Sequence, residues 1–98
     1  MNTNEIASLL KCEVSSDMDN LIFAAASGLY HYCCDYHGGQ DSELYAIESE
    51  LISPPLNFKP SMGGGMDEED KIVYELLELK VISPSDLLEF IKVTPFSS

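Results

Sequence analysis

The residue types best suited to chemistry in this 98-residue chain are concentrated at positions 31–37, in the segment HYCCDYH. Imidazole nitrogens, thiolates and carboxylates are common metal ligands in proteins. On a helix His31, Cys34 and Asp35 share one face, and His37 follows shortly afterwards. Cys33 and Cys34, however, would point about 100° apart on a helix, so both cannot easily bind one ion. Zinc sites usually separate paired cysteines by two to four residues, and we therefore expect no metal and no other cofactor.

A cysteine–histidine nucleophile could combine Cys34 with His31 or His37. Such catalysis also requires an oxyanion site and a third group that orients the histidine, and no sequence feature indicates either. The glycines at 63–65 lack the following Lys-Ser/Thr pair of a phosphate-binding loop, and the acidic run after them would repel phosphate. We therefore expect no catalytic residues and a protein that is not an enzyme.

Charge is the strongest feature of the chain as a whole. Seventeen Asp and Glu residues stand against five Lys and no Arg, which gives a net charge of −12. Nucleic-acid binding needs cations that displace counterions from phosphates, so this balance excludes ordinary direct binding to DNA or RNA. Docking on anionic membranes is disfavoured for the same reason. A basic protein partner suits the charge, although acidic residues also promote solubility by themselves.

Two rows of acidic residues are the candidate partner-binding surface. One row lies along the third predicted helix and the other along the fourth. If these helices were neighbours, the rows would form one continuous negative surface that could engage Lys and Arg of a partner. Two tyrosines border the rows, and exposed tyrosines often supply binding energy. The candidate residues are Asp41, Glu43, Glu48, Glu50, Asp67, Glu68, Glu69, Asp70, Glu75, Glu78, Tyr45 and Tyr74.

The elements that position these residues are predicted to be helices. Residues 17–37 are apolar around most of a helical circumference. Only a narrow polar stripe interrupts this surface, formed by Asn20, Ser27, His31 and Asp35. A helix of this kind is normally surrounded by other elements. We therefore predict an all-α fold, a small bundle of about five helices around this central hydrophobic helix.

Capping residues and helix breakers delimit the other helices. The expected helix starts are Thr3 or Asn4 for the first, Ser16 for the central helix, Asp41 or Ser42 for the third, Met66 or Asp67 for the fourth, and Ser83 before Pro84 for the last. Residues 53–66, rich in proline and glycine, join helical units at about 3–52 and 67–94 within a single acidic domain, 1–98. We expect Leu56, Phe58 and Met62 in this loop to pack in part.

The N-terminal segment has neither the basic region nor the long apolar core of a signal peptide. No run approaches the roughly 18–20 apolar residues that span a bilayer. Three cysteines, an odd number, do not form a disulfide framework. We expect a cytoplasmic monomer or dimer that does not bind membranes.

These features favour a small acidic inhibitor that binds and blocks a basic nucleic-acid-handling protein. It could be an immunity protein of a nuclease toxin, or a phage anti-defence DNA mimic such as an anti-CRISPR or anti-restriction protein. An alternative is a helical adaptor or oligomeric assembly subunit that uses apolar surface of the C-terminal helices, at Leu87, Phe90 or Phe96. A small enzyme or metalloprotein built on residues 31–37 is a third possibility.

Overall fold

Five α-helices occur in the residues that the computed structural model describes, which are 2–37, 41–59 and 66–93. Their bounds are α1 Thr3–Glu13, α2 Met18–His37, α3 Ser42–Ile52, α4 Glu68–Glu78 and α5 Pro84–Val93. No strand is present among these residues, which confirms the prediction of an all-α bundle. None of the five helices combines the length and the apolar character that crossing a membrane requires, in the described part of the chain.

α2 is the central helix of the bundle. It packs against each of the other four helices, and α5 also packs against α1 and α3. Its inner residues Ile22, Ala25 and Leu29 have almost no solvent exposure. Buried side chains from all five helices belong to one hydrophobic core. The segments before and after residues 53–66 therefore share a single core.

α4 lies against α2, and the two helices run in the same direction. In the contacts between them, the residue numbers rise together along both helices. The contacting pairs are Ser27 with Asp70, Gly28 with Val73, Asp35 with Tyr74, and Tyr36 with Glu78. Gly28 permits the close approach, because a Cβ atom at this position would lie only 2.7 Å from Cβ of Val73. The predicted polar stripe of α2 is therefore partly an interface with α4.

The helices begin next to capping residues, and in two helices this residue differs from the predicted one. Asn2 caps α1 in place of Thr3 or Asn4, and its side chain accepts a backbone N–H three residues further on. Asp17 precedes α2 in place of Ser16, and its carboxylate accepts the N–H two residues further on. The other predicted starts are confirmed, with Asp41 before α3, Asp67 before α4 and Ser83 before α5.

The loop after α3 folds back onto the core. Phe58 is buried, and its N–H donates to a carbonyl in the last turn of α3 at 2.8 Å. Its ring centroid lies 5.8 Å from that of Phe23 and 6.1 Å from that of Tyr30. Leu56 is half-buried against the same core, so the predicted packing is confirmed for Leu56 and Phe58. Met62 and the glycines at 63–65 lie outside the described residues.

Candidate functional site

The two predicted acidic rows lie on helices that do not pair with each other. α3 and α4 each pack extensively against α2, but neither packs to a comparable extent against the other. The condition for one continuous negative surface across α3 and α4 is therefore not met.

The acidic row on α3 is partly used within the fold. Asp41 caps the helix through its side chain, which accepts the backbone N–H groups of residues 43 and 44. Glu50 accepts a hydrogen bond from Nζ of Lys92 at 3.4 Å. The remaining members differ in exposure, since Glu48 is half-buried and Glu43 and Tyr45 are exposed. Two carboxylates of this row therefore stabilise the fold as well as contributing charge.

The row on α4 contains one buried carboxylate. Asp70 is only 5% exposed, and its carboxylate accepts hydrogen bonds from Oγ of Ser27 at 2.8 Å and from N–H of Asp67 at 3.4 Å. It lies in helical phase with Val73 and Leu77, which are also buried. Asp70 is therefore inaccessible to a partner in this structure.

An exposed ridge of carboxylates occupies the outer side of α4. Its members, which we call the α4 ridge, are Asp67, Glu68, Glu75 and Glu78. Glu69 is half-buried. Lys71, also exposed, lies one turn after Asp67 and interrupts the ridge with a single positive charge. The ridge thus contains four of the six carboxylates of the predicted row on α4.

Three tyrosines gather where the C-terminal halves of α2 and α4 meet. The ring centroids of Tyr32 and Tyr36 are 4.7 Å apart, and that of Tyr74 lies 5.9 and 6.3 Å from them. The Tyr74 hydroxyl donates to Oδ2 of Asp35 at 2.6 Å, and the Tyr36 hydroxyl donates to Oε2 of Glu78. Each bond joins a tyrosine of one helix to a carboxylate of the other. We call these five residues the tyrosine face.

The tyrosines of this face keep their protons more strongly than free tyrosine. The hydrogen bond to Glu78 is the main cause that raises the pKa of Tyr36. Burial and then the hydrogen bond to Asp35 raise the pKa of Tyr74. Burial raises the pKa of Tyr32, with smaller contributions that include the charge of Glu78. All three hydroxyls are therefore neutral donors at physiological pH, and the carboxylates are the acceptors.

Negative charge on the tyrosine face is not balanced from within the described chain. No lysine among the described residues lies within ion-pair distance of Asp35 or Glu78. The face therefore combines aromatic surface with two negative charges, of Asp35 and Glu78, that no described lysine compensates.

Comparison with known proteins adds nothing to this geometry. The chain matches no protein-family model, no curated protein and no solved structure. Its function must therefore be inferred from its own residues.

Only part of the tyrosine face is predicted from the sequence. Tyr74 and Glu78 are among the candidate partner-binding residues and Asp35 belongs to the predicted polar stripe, but Tyr32 and Tyr36 are not among the candidates. A signal was present, because Tyr32 and Tyr36 are one turn apart on α2, as Tyr74 and Glu78 are on α4. Only the pairing of the two helices brings these turns together.

The segment at 31–37 does not assemble a metal site from the described side chains. Among them, no group of three or more His, Cys, Asp and Glu residues could hold a metal ion. The side chain of His37 lies outside the described part of the chain. Burial raises the pKa of Cys33 to about 12 and also raises the pKa of Cys34. Because the thiolate is the reactive form, neither cysteine is activated as a nucleophile.

Two hollows lie in the described surface. One, of about 270 Å³, is lined mainly by Pro54, Pro55 and Leu56 at the end of α3. A second, of about 190 Å³, lies beside Tyr32 and Ile82. The lining of the first hollow also includes Glu50 and Lys92, which form the ion pair described above.

Proposed function

We propose that the protein is a small acidic inhibitor that binds and blocks a basic nucleic-acid-handling protein. The observation that carries this proposal is the net charge of −12 on a chain without arginine. A nuclease or a nucleic-acid-binding complex presents Lys and Arg that normally hold phosphates. Carboxylates can engage the same side chains through charge-assisted hydrogen bonds. The inhibitor would act in the cytoplasm as a monomer or dimer.

The distribution of charge supports this proposal. The α4 ridge and the tyrosine face are continuous, because Glu78 belongs to both. Together they offer exposed carboxylates beside tyrosine rings, the side chains that commonly supply binding energy at protein interfaces. An immunity protein for a nuclease toxin and a phage anti-defence DNA mimic, such as an anti-CRISPR or anti-restriction protein, would both use such a surface.

An adaptor or assembly subunit is the second candidate. Leu87 and Phe90, the residues first expected to serve this role, are buried in the core. Phe96 lies outside the described residues. The observation that favours an adaptor is the turn between α4 and α5, where Leu79 is 65% and Val81 44% exposed. Exposed apolar side chains that lie close together are typical of protein interaction sites.

Paired charge reversals test the inhibitor proposal. Glu75→Lys with Glu78→Lys changes the α4 ridge, and Glu43→Lys with Glu89→Lys is a matched control at exposed positions on α3 and α5. Both pairs change the net charge equally, and exposed substitutions without a side-chain partner shift stability by only about 0.5 kcal/mol. Glu78→Lys also removes the acceptor of the Tyr36 hydroxyl, so thermal unfolding is measured for both pairs. The control avoids Glu50 because this residue pairs with Lys92.

The partner is identified by affinity capture from cells that make the protein, followed by mass spectrometry of the captured proteins. We expect a basic nucleic-acid-handling protein whose activity falls as the inhibitor is titrated to stoichiometry. The ridge pair should slow association, most strongly at low salt, and the control pair should have a smaller effect. If both pairs bind normally while Leu79→Ser with Val81→Ser abolishes binding, the adaptor proposal replaces the inhibitor.

A further inference from the structure

The tyrosine face exposes aromatic surface that the fold does not cover. Tyr36 is 49% exposed, although its ring packs beside those of Tyr32 and Tyr74. The three rings are too close together to enclose a ligand between them. A ligand would therefore lie on the outer surface of the rings, where a flat group can stack.

The two carboxylates of the face are held at the edges of these rings. Asp35 accepts from the Tyr74 hydroxyl and Glu78 accepts from the Tyr36 hydroxyl, so each carboxylate is anchored across the helix pair. An ionised carboxylate has about four acceptor positions, and one tyrosine hydroxyl occupies only one of them. Each carboxylate thus retains acceptors for a second donor.

Folding alone does not explain why these charges remain uncompensated. Asp35 and Glu78 lie on the same face, and the described chain supplies no ion-pair partner for either carboxylate. A cation brought by a partner would pair with them. Charge complementarity therefore selects a basic occupant for the exposed rings.

Of the two basic side chains, arginine fits the face better than lysine. Its guanidinium group is planar, stacks on aromatic rings and donates two parallel hydrogen bonds to a carboxylate. The chain contains no arginine, so no part of it could occupy the face in this way. We propose that the tyrosine face is the docking surface for an arginine-bearing segment of the partner protein. This inference rests on the proposed function and names the part of the partner that the inhibitor recognises.

Two blocked peptides of equal length and charge test the inference, one alternating glycine with arginine and the other glycine with lysine. Calorimetric titration at low salt should show about fivefold to tenfold tighter binding of the arginine peptide. Tyr36→Leu, which removes the exposed ring, should reduce this preference to about twofold or less. Asp35→Asn with Glu78→Gln should do the same by removing both charges.

Matched control variants distinguish binding at the tyrosine face from general electrostatic attraction. Tyr45→Leu removes an exposed tyrosine elsewhere, and Glu43→Gln with Glu89→Gln removes two exposed charges elsewhere. Both controls should keep the preference for arginine, with thermal unfolding used to confirm that every variant is folded. Equal binding of the two peptides by the unaltered protein would overturn the inference, as would equal losses in the face and control variants.

The identity and binding of the captured partner show whether this inference alone is wrong or whether the proposed function is wrong. If the partner is basic and salt-sensitive but binds the Tyr36→Leu and Asp35→Asn/Glu78→Gln variants normally, only the docking surface is wrong. If the captured partner is not a basic nucleic-acid-handling protein, the inhibitor proposal is wrong, whatever the peptides show.

Discussion

Replacing Gly28 with alanine tests how closely α4 approaches α2. The added Cβ would lie 2.7 Å from both Cβ and Cγ1 of Val73, and 3.0 Å from the carbonyl oxygen of Asp70. Non-bonded carbon atoms are normally about 3.5–4.0 Å apart. Val73 Cβ and the Asp70 oxygen are fixed to the backbone, so a change of rotamer cannot relieve the clash. The two helices would have to separate by about 1 Å.

The cost of this separation can be compared with the benefit of alanine. Overpacking a well-filled interface costs about 1–3 kcal/mol. Moving the helices apart also lengthens the hydrogen bond from Ser27 to Asp70, now 2.8 Å, and leaving a buried group unsatisfied costs about 1–3 kcal/mol. Alanine is favoured over glycine inside a helix by about 1 kcal/mol. The net expectation is a loss of about 1–5 kcal/mol in the free energy of unfolding.

Urea denaturation followed by far-UV circular dichroism measures this free energy. Ser8→Ala, at an exposed position of α1, is the control for a substitution by alanine in a helix without a clash. The chain has no tryptophan, so near-UV circular dichroism reports mainly on its tyrosines and should change when the tyrosine face is disturbed. If Gly28→Ala is as stable as the unaltered protein, or gains the 1 kcal/mol or so expected from helix propensity, the close approach described above is wrong.

Two further predictions concern titratable groups. The raised pKa of Tyr36 and Tyr74 means that the folded protein favours the neutral forms of both tyrosines. Their contribution to stability is therefore complete below the unfolded pKa of about 10, and it is lost as pH rises through the pKa values of the folded protein. Urea unfolding between about pH 8 and about pH 12 should show this decline, and Tyr74→Phe should make it shallower, whereas identical pH profiles would contradict the assignment. Cys33, buried and with its pKa raised to about 12, should resist a disulfide reagent at neutral pH until the protein unfolds, while exposed Cys12 reacts. Equal labelling rates for the two thiols in a mass-spectrometric time course would refute the burial of Cys33.

Local sequence signals predicted the helices because a cap depends on residues only a few positions apart. Ser83 accepts the N–H of Asp86 at 3.2 Å, as the Ser-Pro start of α5 indicated. The cap of α1 was missed although its signal was local. Asn2 is followed three residues later by Glu5, whose carboxylate accepts the Asn2 N–H in return. If Thr3 were the cap, the residue three positions later would be Ile6, whose apolar side chain cannot accept the N–H of the cap. The reciprocal capping box therefore selects Asn2.

The burial of Asp70 could also have been predicted from helical phase. All four acids at 67–70 are among the candidate partner-binding residues predicted from the sequence. On a helix, however, Asp70 shares a face with Val73 and Leu77, whereas Glu68 lies well away from that face. Ser27, which hydrogen-bonds to Asp70, is one of the stripe residues on α2. The two polar residues satisfy each other at the helix interface, as buried polar groups generally must.

The pairing of α2 with α4, in contrast, could not be predicted from local pattern. Small residues occur along much of α2, including Ala24 and Ala26, so several of its faces could admit a close neighbour. The position of Gly28 opposite Val73 becomes informative only once α4 is placed. The tyrosine face depends on this pairing, which explains why its α2 members were missed.

The same packing that buries Asp70 also creates the tyrosine face. Because α2 and α4 run in the same direction, the turns that follow the Ser27–Asp70 contact meet one another at the C-terminal ends of both helices. A negative charge that served only solubility would need no fixed arrangement of carboxylates. Asp35 and Glu78 are instead each held by a tyrosine of the opposite helix, so their positions depend on the core. If the face is the docking surface proposed above, a change at the interface of α2 and α4 should weaken both the helix packing and the binding of the arginine peptide.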